Sequence, residues 1–441
     1  DFVALTWSDG VYQTELGLEA GRLHRITETQ RQLSSCPVLF AWDGQRYAFV
    51  SDLLGVGGMG YFVEPGVYAP PRPWENFLLP DGLLQPREGR YRLKIGEPME
   101  EAAYLDSMRL AAWDLPPGWS MVLDERMGIL GPEPTGDAVF YRELRLPGRA
   151  TDTQGRDVTA AVTKADLHAP AVGELDRRFI GRLREPQLLT LEFDAPLDRP
   201  GASPVLVIDG WVEYPYSQTM FAAWQAAADY RAPTLQARDA DGRWHTLMEQ
   251  FGYPAGMPRR MSVPLGKLPA GTDALRLSTN QEIYWDRVAV VYSEPPPAAV
   301  RHELPLSDAE VRFSGFALRT TGSQRQPHYD YDRRSPLWDT RHMRGHYTDF
   351  GRATELLAEA DDALAIIGPG EEVHLEFEDD LPQLRSGWQR HFVLESRGWA
   401  KDMDLYTEHG NTLEPLPDSG RPAARRDELH ERYNRRYRSG I

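Results

Sequence analysis

His328, Asp330 and Asp332 alternate with tyrosines in the stretch His328-Tyr329-Asp330-Tyr331-Asp332, and residues two apart share one side of an extended segment. Nitrogen and oxygen donors so arranged could converge on a hard cation such as calcium. Asp402 and Asp404 repeat the spacing just after Gly398-Trp399-Ala400-Lys401. These five residues are the candidate metal ligands, with calcium as a structural ion. Neither stretch has the glycine and terminal glutamate of the twelve-residue calcium loop. The competing reading is therefore surface turns whose carboxylates pair with Arg333, Arg334 or Arg341 through charge-assisted hydrogen bonds. His342 and His346 stand four apart, but Met343-Arg344-Gly345 between them supplies no glutamate of the zinc-protease type.

A second group is aromatic. Trp211, Tyr214, Tyr216 and Tyr284, with Glu213 and Asp286 beside them, fall within about 75 residues of one another and are the candidate ligand-binding set. Exposed on one sheet face, such rings would stack on sugars while the carboxylates, with Asn280 and Gln281, give directional hydrogen bonds. The competing reading is a core packed with large aromatics, and the apolar neighbours of Trp211 and Trp285 favour it. Glu213, Glu282 and Asp286 are the acids nearest to aromatic residues, yet glycoside cleavage depends on a separation that sequence does not give. Tyr216-Ser217-Gln218 is not a nucleophile elbow. No catalytic residue is assigned, so a binding role leads and a carbohydrate-active hydrolase or its accessory subunit is the alternative.

Short alternating apolar runs punctuated by Gly, Pro and Asp carry these residues. With 38 Gly and 35 Pro in 441 residues, turns and extended connections outweigh long helices. The expected fold is mainly β: a multidomain β-sandwich with few short helices, its second domain like a galactose-binding jelly roll in its last two strands. Leu275–Val290 reads as two half-buried strands joined by a turn at Asn280-Gln281-Glu282. Pro37 to Gly55, following Cys36, reads as a hairpin of two apolar runs about Trp42-Asp43-Gly44-Gln45, with Asp-Gly as the turn element. Gly55 to Gly60 reads as a loop, since prolines rather than a helix follow. Gln218 to Tyr230 is the one helical candidate in the second domain.

The expected division is 1–30 as the end of a β unit, 31–150 as a first β domain and 151–184 as a connector. A sandwich over 185–295, a third β domain over 300–420 and an Arg-rich tail over 421–441 follow. That tail could dock within the molecule or on a partner. The whole chain carries 66 acidic and 49 basic residues, a formal charge of −17, which repels a phosphate backbone and makes nucleic acid an unsuitable partner. No apolar run is long enough to span a membrane. The single cysteine, Cys36, excludes an internal disulfide and lies in apolar surroundings that suit a buried thiol.

Trp7-Ser8-Asp9-Gly10-Val11-Tyr12-Gln13-Thr14 and Ile26-Thr27-Glu28 resemble the final strands of the ASPIC/UnbV domain, which follows FG-GAP propeller repeats in the cartilage acidic protein family. Later stretches resemble the long C-terminal extension of bacterial members. They are Ser35-Cys36-Pro37 with Trp42-Asp43-Gly44, Tyr104-Leu105-Asp106, Ile283-Tyr284-Trp285-Asp286, Tyr329-Asp330-Tyr331-Asp332, and Gly398-Trp399 with Lys401-Asp402. The resemblance implies an extracellular, cell-surface or periplasmic home and adhesion or binding to a glycan or an extracellular protein. Partners would include the N-terminal remainder of a longer parent chain or other subunits, and a structural place in a surface assembly is a further alternative. The propeller and its calcium loops are not in these residues, so the resemblance carries over no metal site.

Overall fold

The computed structural model describes residues 2–7, 12–27, 36–296, 298–335 and 341–440. The protein is mainly β, with three short α-helices among the described residues. At the N-terminus Phe2–Thr6 and Tyr12–Leu16 form an antiparallel ribbon. Ser8-Asp9-Gly10, within the stretch quoted for the resemblance, lies outside the described residues.

The main body is a sandwich of two sheets drawn from both halves of the chain. One sheet runs Gly351–Arg352, Leu306–Phe313, Glu371–Glu378, Arg90–Gly96, Val38–Trp42, Tyr47–Asp52 in spatial order. The other runs Val300–Leu304, Glu101–Leu115, Gln389–Asp402, Trp74–Leu78. Alternate residues of each strand face inward, and Leu39, Leu93, Ile95, Leu105, Leu110, Val311, Leu375, Phe377 and Leu394 share one core. Burial of each such side chain contributes about 1.5–3 kcal/mol. The expected first and third domains are therefore one body: Arg90–Gly96 pairs with Glu371–Glu378, and Glu101–Leu115 with Gln389–Asp402. Neither set of strands can cover its apolar face without the other, which is the physical reason for the correction.

The stretch between them, from about residue 144 to 293, builds the second sandwich around Leu191, Leu206, Ile208, Leu235, Leu275, Leu277, Ile283, Val288 and Val290. Its axis is a single strand, Ala274–Ser293. The first half of that strand pairs with Arg182–Glu192 and Thr234–Arg238, and the second half with Ser203–Glu213 and Leu144–Arg145. The hairpin expected within Leu275–Val290 is thus one strand that leaves one sheet and enters the other. No solvent turn is needed at Asn280-Gln281-Glu282, because these buried groups find partners inside the protein. Asn280 accepts from the Arg231 amide at 2.7 Å and donates to the Asp229 carbonyl at 3.0 Å.

Several smaller expectations can be placed. The hairpin about Asp43-Gly44 forms from Val38–Trp42 and Tyr47–Asp52, with Asp43 accepting the amides of Gln45 and Arg46 at 2.8 Å each. The Gly55–Gly60 loop is tightly packed, since a Cβ at Gly57 would lie 2.7 Å from the Gly398 carbonyl oxygen. The helical candidate forms over Ser217–Gln225. The Arg-rich terminus docks on its own chain: a helix, Ala423–Tyr433, leads into Arg436–Arg438, which pairs with Gly345–Tyr347. Arg436 and Arg438 both reach the fully buried Glu371.

Candidate functional site

The two sandwiches meet along a seam, and the most unusual chemistry of the molecule lies there. On the second sandwich, Ser203–Glu213 and Ala274–Ser293 pair so that Trp211 opposes Tyr284, Val212 opposes Ile283 and Glu213 opposes Glu282. Alternation sends Val212 and Ile283 into the core and leaves the other four on the opposite face. A register shift at Asp209/Gly210 sets this phase. Gly181, at φ +69°, presses on the last turn of the strand. A Cβ there would lie 1.8 Å from the Glu213 carbonyl oxygen, so only glycine fits.

Directly opposed residues of an antiparallel pair stand about 4.5–5.5 Å apart at Cα, and like charges so placed repel. Glu213 and Glu282 are such a pair, and both are buried. The main sandwich presents a second one, because Glu101 at the start of Glu101–Leu115 opposes Asp402 at the end of Gln389–Asp402. Glu101 is buried and Asp402 half-buried. Burial first, and then the charges of Glu213, Asp402 and Glu101, raise the phenol of Tyr216 well above its ordinary value. Glu97 adds a fifth acid that feels Asp402.

Arg325 donates to Glu282 at 2.7 Å and stands 3.9 Å from Glu213 Oε2. Tyr284 also donates to Glu282, at 2.7 Å. Glu213 Oε2 and Glu97 Oε2 accept no hydrogen bond, although the two residues are only 3% and 2% exposed; the hydroxyls of Tyr216 and Tyr329 are likewise orphaned. Burial, reinforced by the charge of Glu282 against the relief from Arg325, pushes Glu213 up to about 8. Burial also lifts Glu97 well above the usual carboxylate range. With its value near 8, Glu213 is held mostly as a neutral acid at pH 7 and can donate as well as accept a hydrogen bond.

Hydrogen bonds between the two sandwiches surround this arrangement. After Glu213 the chain crosses to the main sandwich, where Tyr61 donates to the Pro215 carbonyl at 2.8 Å and the Phe62 amide to Ser217 Oγ at 3.1 Å. Tyr214 lies 3.5 Å from the Cys36 sulfur, and burial pushes that thiol up and keeps it unreactive. A hairpin, Ala317–Thr321 with Pro327–Arg334, spans the seam from the other side. Its tip latches to the second sandwich through Gln324, whose carbonyl accepts from Trp211 Nε1 at 2.7 Å. The Gln324 amide group exchanges bonds with Ala169 at 2.7 and 3.0 Å.

Of the candidate ligand-binding residues, Glu213, Tyr214 and Tyr216 lie in the seam and Asp402, named as a metal ligand, joins them. The others do not. Trp211 and Tyr284 stack on each other with centroids 5.3 Å apart and planes 13° apart, both buried. The exposed sugar platform is therefore replaced by a closed ring pair under Gln324. Asp286 accepts the amides of Asp166, Leu167 and His168 at 3.1–3.2 Å, fastening the segment expected as a connector.

His328, Asp330 and Asp332 do share one side of a strand, as their spacing predicts. That side faces outward while Tyr329 is buried, and Asp330 accepts the Asp332 amide. Asp404 accepts the amides of Gln218 and Tyr406 at 2.9 and 2.7 Å and so holds the start of the helix Ser217–Gln225. Among the described residues no three His, Cys, Asp or Glu side chains come close enough to hold a metal ion.

Sequence reasoning missed Glu97, Glu101 and Arg325. A local signal existed for the first two: Glu97-Pro98-Met99-Glu100-Glu101 sets three acids at the mouth of a strongly apolar strand. Arg325 sits at a hairpin tip, where nothing local tells its partner.

No family model matches the chain, and no curated protein matches it. Among solved structures, one described as "Structure of infectious bursal disease virus Gx strain" aligns over 82% of this chain and 75% of that one at 11% identity. Its TM-score of 0.10 is too low to argue a shared fold. No helix among the described residues is long and apolar enough to cross a membrane.

Proposed function

We propose that this chain is the glycan-binding region of a secreted or cell-surface protein, and that the seam between its two sandwiches is the binding site. The observation that carries the reading is the set of oxygens on Glu97, Glu213, Tyr216 and Tyr329 that are hidden from solvent and make no hydrogen bond among the described residues. A neutral carboxylic acid and a phenol each donate and accept, which is the pattern a sugar hydroxyl offers in return. Leaving such groups unpaired costs about 1–3 kcal/mol each, and a hydroxyl-rich ligand would recover that cost. The extracytoplasmic setting rests on the resemblance to ASPIC/UnbV-associated extensions alone.

Calorimetry against a panel of oligosaccharides tests the reading. Wild-type protein should bind at least one, and Tyr216→Phe together with Glu213→Ala should weaken that binding by about tenfold or more, one to two lost hydrogen bonds' worth. Undiminished binding by both variants would move the site elsewhere. Failure to bind any oligosaccharide would refute the reading.

A further inference from the structure

The second sandwich has a cleft of its own, lined by none of the seam acids. It lies beside a break in a ladder: Arg182 pairs with Gln281 and Gln187 with Thr279, so Leu183 to Pro186 stand against Asn280 alone. The break falls where Ala274–Ser293 passes from one sheet to the other. The cleft measures about 340 Å³, within the range of small-molecule sites, about 300–1,000 Å³. Its floor is the core itself, because Leu189, Ile283 and Trp285 line it and all belong to the second core, at most 5% exposed. Trp285 makes no hydrogen bond through its indole nitrogen among the described residues, whereas Trp211 Nε1 donates to the Gln324 carbonyl at 2.7 Å. A buried indole N–H usually has an acceptor, and here the one without belongs to a side chain that lines a cleft.

We infer, resting on the glycan-binding reading for the class of ligand, that this cleft is a second sugar site and takes a neutral pyranose unit. The rim charges are already answered in pairs. Asp152 accepts the Arg156 Nε at 2.6 Å, and Glu174 on the opposite wall lies 3.3 Å from Arg184. No net charge is left to draw in a phosphate, a carboxylate or an amine. What the rim does offer is hydrogen bonding: Arg156 donates to Gln154 Oε1 at 3.2 Å, which leaves the Gln154 amide N–H groups without a partner among the described residues. Gln187 holds the wall in place, donating to the Ile283 carbonyl at 3.2 Å and accepting the Gly173 amide at 3.4 Å. An apolar floor, an indole N–H in need of an acceptor and a rim of amide and guanidinium donors beside carboxylate acceptors match a ring with one C–H face and an edge of hydroxyls. The volume suits a short end of a glycan rather than a long stretch of chain.

The test follows the indole N–H signals of the whole nitrogen-15-labelled chain by NMR, with the Trp285 signal identified by its loss in Trp285→Phe. The probes are methyl α- and β-glycosides of neutral hexoses, deoxyhexoses and pentoses, with methyl hexuronides and methyl glycosides of amino sugars as charged counterparts. At least one neutral glycoside should move the Trp285 signal saturably. Ala171→Trp, which fills the mouth of the cleft from an exposed position, should weaken that binding by about tenfold or more. A stronger response to the charged glycosides would overturn the neutral class, and wild-type affinity in Ala171→Trp would overturn the site. Oligosaccharide binding that leaves the Trp285 signal unmoved would overturn the cleft and leave the seam reading standing. A Trp285 response together with oligosaccharide binding that Glu213→Ala and Tyr216→Phe do not weaken would uphold the cleft and overturn the seam. Binding of no oligosaccharide and no glycoside would refute both.

Discussion

Two clusters of buried carboxylates lie along the seam, and they are built on opposite plans. In the first, Arg259 enters from the second sandwich and is held by Asp52 and Glu75 of the main one, with all three side chains at most 3% exposed. Its guanidinium also donates to the Asp52 carbonyl at 2.6 Å, and its proton is held more tightly than usual by the two acids. In the second, Glu213 opposes Glu282 and Glu101 opposes Asp402, and Glu213 Oε2 accepts no hydrogen bond among the described residues. A buried acid closed by a cation fixes the two bodies together. One left open adds nothing to that join, and its conservation of a proton at neutral pH is a chemical property rather than an architectural one.

This contrast can be broken most forcefully at Arg259. Replacing it by Met leaves two buried carboxylates without a counter-charge and should cost about 3–5 kcal/mol in a denaturant titration. A loss below about 1 kcal/mol would mean that the cluster does not join the sandwiches. Next in size is the docked terminus, where Arg436→Met with Arg438→Met strands Glu371. Both arginines are partly exposed, so about 2–3 kcal/mol is expected, read as a lowered Tm.

The open cluster should answer to pH instead. Because Glu213 is held near 8, its neutral form is stabilising relative to an unfolded chain in which the group titrates in the ordinary glutamate range. That contribution is complete below the unfolded value and is lost as pH rises through about 8, so stability falls across this window by at most about 1.4 kcal/mol per pH unit. Glu213→Gln should flatten that slope; a variant with the wild-type slope would show that Glu213 is not the group responsible. The smallest effect belongs to the outward acids of the hairpin. Asp330→Asn with Asp332→Asn should change stability by no more than about 0.5 kcal/mol, as surface substitutions do.

What could be read from the sequence followed the range of the interaction that fixes it. The alternation of Leu275, Leu277, Ile283 and Val288 told of strands, because the two-residue period is local. It could not tell that Asn280-Gln281-Glu282 is a passage between sheets, since that depends on Arg231, Asp229 and Arg325 meeting those side chains. The division into first and third domains failed for the same reason: the pairing of Arg90–Gly96 with Glu371–Glu378 joins segments some 280 residues apart and leaves no trace in either. At the site, Glu213, Tyr214 and Tyr216 stood out by type and crowding. Trp211 and Tyr284 stood out equally, and only the ring that each found in the other separates them from a sugar platform. Asp402 was named for a metal and lies in the seam through its register with Glu101.

The interleaved main sandwich also sets the order in which the molecule can be made. As the nascent chain leaves the ribosome, residues 144–293 hold everything needed to complete the second sandwich, while the strands emitted before them wait with one apolar face uncovered. Their partners, among them Gln389–Asp402, follow only after the whole insertion has been made. The inserted body is therefore the first to mature, and closure of the main one, which must span the whole insertion, is the slow and aggregation-exposed step of biogenesis.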